Sequence, residues 1–139
     1  MDYETVSADA FGASLKGLGL NLLTRDVRRM VQQLTDVFSM TAHQVSDDFA
    51  ILRYGDHLFQ IHSDQTFGAH PLLGLLPENP PRGAGVEIRL YETDPDQAFE
   101  HAENAGFTVL QEPTDKPHGL RECTLLCADG YAWVPSRPL

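Results

Sequence analysis

A shift of 68 residues lays the second half of this sequence over the first, bringing Asp26 onto Asp94, Leu20 onto Ile88 and Leu22 onto Leu90. A repeat of this length restricts the fold more than any single strand or helix does, because both halves must satisfy one topology. In the first half "GLGLNLL", from Gly17, alternates apolar with small or polar residues, as a half-buried strand does. Asp26 supplies a helix N-cap, and Val27, Met30, Val31, Leu34, Val37 and Phe38 recur at helical spacing. Three extended runs follow, "TAHQVS", "FAILRYG" and "HLFQIHS", the last two separated by a Gly-Asp pair that suits a hairpin.

The order then begins again. "GVEIRLYE" alternates with period two, and "DPDQAFEHAENAG" carries Asp94 as N-cap, Pro95 at the first helical position and Gly106 as a stop. "FTVLQEP", "RECTLLCA" and "YAWVPS" are the three closing strands. The predicted fold is therefore α+β: two β-α-β-β-β modules, residues 15–66 and 85–139, in a single compact domain. The Pro/Gly-rich stretch 67–84 reads as a connector, and the acidic, polar residues 1–14 as a loose N-terminal arm on a cytoplasmic protein.

Charge narrows the partners. Twenty Asp and Glu against ten Lys and Arg give a formal net charge of −10, which repels phosphate backbones and anionic membranes. No apolar run approaches the ~18 residues that a membrane-spanning helix needs. Neither nucleic acid nor membrane is expected as a partner; a neutral or cationic small molecule is. Cys123 and Cys127 would lie about 13 Å apart along a strand, beyond the ~7 Å reach of a disulfide, so both are expected as buried thiols. Gly-rich phosphate loops, Gly-x-Ser-x-Gly elbows and His-Glu-x-x-His runs do not occur, which leaves nucleotide binding, serine hydrolysis and zinc peptidase chemistry without support.

"LNLLTRDVRRMVQQLTDVF" at the start of the first module, "KPHGLRE" in the second and the closing "DGYAWVPS" together resemble the vicinal oxygen chelate superfamily. That superfamily includes glyoxalase I, extradiol dioxygenases, fosfomycin-resistance enzymes and bleomycin-resistance proteins. The resemblance covers about Lys16 to Pro138, with Ala128 where the family's Asp-Pro-Asp-Gly turn has proline. It implies that each module curls four strands into a half-barrel with its helix outside. It also implies a cavity enclosed by two such modules, in many members of this size within a homodimer. The implied function is binding of a small organic molecule in that cup without a tightly bound metal. The alternative is a metal-dependent lyase or dioxygenase with a weak divalent site.

Strand alternation selects the residues that would line the cup. Leu18, Leu20 and Leu22 suit the helix side of the first strand, leaving Gly19, Asn21 and Leu23 opposite; Val86, Ile88 and Leu90 likewise leave Glu87, Arg89 and Tyr91. Phe59 and Ile61 on the helix side put Gln60 and His62 inward. Asn21, Gln60, His62, Glu87 and Arg89 are the candidate orienting groups, Leu23 and Tyr91 the apolar contacts. Loop residues His70 and His118 are candidate proton-exchanging groups, with plain surface hydrogen bonding as the alternative. The four metal-ligand slots that the resemblance implies fall on Gly19, Glu87, His62 and Val134, of which only Glu87 and His62 can ligate. A divalent site would need Gln60 or water to complete it. Tyr131 and Trp133 are expected as core and rim aromatics.

Overall fold

The computed structural model of the protein describes residues 1–83 and 85–139. The last position of the predicted connector, 84, lies outside the described residues. Two units divide the chain: Met1–Val31 with Met40–Gly74, and Gln32–Ser39 with Leu75–Leu139. The element order is α1 (Ala8–Ser14), β1 (Asn21–Thr24), α2 (Val27–Phe38), β2 (Thr41–His43), β3 (Phe49–Tyr54), β4 (His57–Ser63), β5 (Glu87–Leu90), α3 (Pro95–Ala102), β6 (Thr108–Asp115), β7 (Leu120–Leu126) and β8 (Ala132–Pro138). Short 3-10 turns at Asp64–Phe67 and Pro71–Leu75 follow β4.

Both units carry a four-stranded open sheet of one topology. The orders are β1-β4-β3-β2 and β5-β8-β7-β6, in which the first pair is parallel and the others antiparallel. These are the two β-α-β-β-β modules, and the fold class is α+β as the repeat requires. The parallel pair demands a crossover, which the helix after each first strand provides.

Capping explains where those helices begin. The Asp26 carboxylate accepts from the Arg29 backbone N–H at 3.0 Å, and Asp94 accepts from that of Asp96 at 3.0 Å with Pro95 just inside the helix. α2 then buries Val27 and Met30 in the first unit and Leu34, Val37 and Phe38 in the second. Within the second unit Phe38 meets Phe107 edge-on at 5.6 Å and Trp133 at 5.8 Å. Gln33 donates to the Ala105 carbonyl and accepts from the Ala128 N–H, so one amide ties two loops together. α3 lies against β6, β7 and β8, and Cys123 and Leu125 on that side are fully buried. Burial pushes the Cys123 thiol up to about 12 and that of Cys127 upward too, so both stay protonated, unbridged thiols.

Three sequence expectations need correction. β1 begins at Asn21 and β5 at Glu87, so Leu18 is fully exposed, Leu20 is exposed, and Val86 is 56% exposed; only Leu22 and Leu90 are buried as expected. Alternation continues upstream of both strands, but those residues lie outside the paired registers, and Leu20 contributes only its carbonyl, which accepts from the Gln60 N–H at 3.0 Å. Second, β2 stops at His43, where Gln44 turns left-handed at φ 52°. Third, residues 1–14 are not a loose arm. Ser7 caps α1 by accepting from the Ala10 N–H, Phe11 is buried, and Tyr3 packs on Phe11 and His43.

At the β7–β8 turn Gly130 is left-handed at φ 81°, and a Cβ there would collide with the backbone of Pro81. The Asp129 and Gly130 carbonyls accept from the Arg82 and Gly83 N–H groups, which pins the incoming chain of the second unit. No helix among the described residues is long and apolar enough to cross a membrane.

Candidate functional site

Register assigns the sheet faces. In the second sheet Glu87 pairs with Ala132, Arg89 with Val134, and Glu122 with Ser136, so these six share the side opposite the Trp133–Cys123–Leu125 core. Glu87 and Arg89 are thereby on the face predicted for them. Glu122 lies in the predicted strand "RECTLLCA" but is not among the candidate site residues; from β7 it unites the others. Arg89 Nη2 donates to Glu122 Oε2, and Arg89 Nη1 donates to Glu87 Oε1 at 3.2 Å. His118 Nε2 lies 3.7 Å from Glu122 Oε1, and the guanidinium sits 5.5 Å from the Tyr91 ring centroid.

These groups differ in access. The Glu122 side chain is 9% exposed and that of Arg89 21%, whereas Glu87 and His118 are more than half exposed. Glu122 is thus a buried anchor beneath a partly open guanidinium. Burial opposes the charge on Arg89, but the hydrogen bond and charge of Glu122, followed by those of Glu87, outweigh it and hold the guanidinium more firmly protonated than usual. Beside Glu122, the fully buried Ser136 hydroxyl has no hydrogen-bond partner among the described residues.

In the first sheet Asn21, Gln60, Ile51 and His43 are in register, as are Leu23, His62 and Phe49. Asn21, Leu23, Gln60 and His62 therefore share one side, while Leu22, Ala50, Leu52 and Ile61 are buried on the other. His62 stands between Phe49 at 5.2 Å and Phe67 at 5.3 Å, with His70 stacked on Phe67 at 4.9 Å. Desolvation in this aromatic setting lowers the His62 pKa and favours the neutral imidazole. His70 Nδ1 accepts from the Leu72 N–H, which makes it a turn-stabilising residue.

The donor set does not suit a chelated divalent ion. Gly19 has no side-chain donor, Val134 is apolar and fully buried, Glu87 is paired with Arg89, and His62 is flanked by phenyl rings. Among the described residues no three His, Cys, Asp or Glu side chains are gathered closely enough to hold a metal. Glu87 and His62 belong to different units, each engaged within its own.

The architecture has close counterparts among solved structures. A glyoxalase/bleomycin resistance protein/dioxygenase family enzyme from Burkholderia phytofirmans PsJN superposes with a TM-score of 0.73 at 18% identity, over 86% of this chain and 96% of that one. A glyoxalase/bleomycin resistance protein/dioxygenase from Nocardioides gives 0.65 at 20% identity, over 93% and 90%. The fosfomycin resistance protein FosX from Mesorhizobium loti gives 0.64 at 16%, over 90% and 94%. No protein-family profile and no curated protein sequence matches the chain. The chain shares the fold of these proteins, the fold that the sequence motifs implied; at these identities the likeness is one of fold.

Proposed function

We propose that the chain binds a small organic molecule on the open side of its second sheet, with Arg89 as the polar anchor. The observation that carries this reading is the Arg89–Glu122 pair. A charged pair removed from water on a sheet face contributes little to folding, because its desolvation offsets its attraction. It does hold a guanidinium in one orientation, with Tyr91 and His118 exposed beside it. The N–H groups of Arg89 not engaged by glutamate can donate to a carbonyl, carboxylate or phosphonate oxygen of a ligand. Glu87, 57% exposed at the side chain, can accept from a ligand hydroxyl or amine. The chemistry favoured is a polar, neutral or zwitterionic molecule with an acceptor and a donor a few ångströms apart. This proposal requires no bound metal, and a homodimer is its expected assembly.

The test is a thermal-shift screen against thiol–aldehyde adducts, catechols and glycopeptide antibiotics, with and without added divalent ions. Hits should be lost in Arg89→Met and weakened in Glu87→Gln. A ligand that binds Arg89→Met as tightly as the unaltered chain removes the reading. A ligand whose binding requires an added divalent ion does the same.

A further inference from the structure

We propose that residues 1–14 are a releasable cover over a second binding face, the open side of the first sheet, and that this face takes aromatic anions. Strand pairing puts His43, Ile51 and Gln60 in one row on that side. The chain's own N-terminal segment packs on this side. Tyr3 packs on His43 at 5.7 Å, Phe11 packs on Tyr3 at 6.2 Å, and Phe11 lines a groove of about 330 Å3 with Leu15, Leu58 and Gln60.

The segment is seated as a ligand would be, through few contacts of high specificity. Gln44 makes the clasp: its side-chain amide donates to the carbonyls of Tyr3 at 2.8 Å and Val6 at 3.0 Å, and its backbone N–H donates to Glu4 Oε2 at 3.1 Å. Glu4 Oε1 lies 3.6 Å from His43 Nδ1. One aromatic ring and one carboxylate thus meet one imidazole and one N–H, a seat whose chemistry matches an aryl carboxylate or sulfonate. Gln44 holds a left-handed backbone, φ 52°, that a non-glycine residue adopts only when its surroundings enforce it. The strained residue is the one making the clasp. Apart from Phe11 the residues of α1 are partly or fully exposed, so release uncovers little else. The residues named all belong to the first unit, and the proposal stands apart from the reading of Arg89.

The experiment titrates the full chain and its Gln44→Ala variant with 8-anilinonaphthalene-1-sulfonate, an aromatic anion. Apparent affinity scales with the fraction of open chains. Losing two side-chain hydrogen bonds should raise that fraction and tighten the apparent Kd by about tenfold or more. Phe11→Ala should act in the same direction. Equal dye affinity in Gln44→Ala and the unaltered chain overturns the proposal. Should Gln44→Ala melt without a cooperative transition, native-state hydrogen exchange on the unaltered chain decides. Exchange of the Phe11 and Gln44 amides through an opening much easier than global unfolding supports a cover. Exchange only through global unfolding makes the segment part of the core and refutes it.

Discussion

Replacing Arg89 by methionine keeps the aliphatic stem and removes the charge, so it isolates the electrostatics of the second-sheet cluster. The Glu122 carboxylate would then be 9% exposed, with His118 at 3.7 Å as its nearest basic group. Removing one partner from a fully buried pair typically costs about 3–5 kcal/mol. Arg89 is a fifth exposed, which reduces that figure. The expected loss is about 2–3 kcal/mol, or roughly 6–10 °C in Tm for a chain of this length. Urea unfolding of both proteins at pH 7 measures this. A loss below about 0.5 kcal/mol would mean that the pair is solvated and anchors nothing.

Three further outcomes follow from the same structure. Ser136→Ala deletes a buried hydroxyl without a partner and should leave stability unchanged or raise it by up to about 1–2 kcal/mol in chemical denaturation; a loss above 1 kcal/mol would mean that the hydroxyl is bonded. Gly130→Ala forces a side chain into the backbone of Pro81 at a left-handed position and should cost about 3 kcal/mol or more by thermal melting; a near-neutral result would contradict the close packing of the β7–β8 turn. His62 has a depressed folded pKa, so its contribution is present above the unfolded value of ~6.5 and is lost as pH falls through the folded one. An NMR titration should place His62 below 6.5, and His62→Phe should flatten the Tm profile between pH 7.5 and 5.

The legible parts of the sequence were those governed by neighbours a few residues away. Asp26 and Asp94 cap helices because a carboxylate reaches an N–H two or three residues on, and the 68-residue offset repeats that signal with its apolar spacing. Gln60 and His62 could be assigned to the side opposite Ile61 because alternation is rigid within a strand. The first strand of each half was read too long, since Leu18, Leu20 and Val86 alternate correctly but lie outside the paired registers that hold Leu22 and Leu90. A signal for α1 was present in the Ser7 cap and Phe11, but the docking of Tyr3, Glu4 and Val6 ahead of it on Gln44 joins residues about forty positions apart.

Element order, helix starts and the alternation of each strand show in the amino-acid order alone, through local signals and their repetition at 68 residues. Which charge meets which was decided by tertiary structure. Glu122 reaches Arg89, 33 positions earlier in the chain, because β8 lies between β5 and β7 and sets both registers. Pairing register is an energetic outcome of the whole sheet, so no local pattern around either residue carries it.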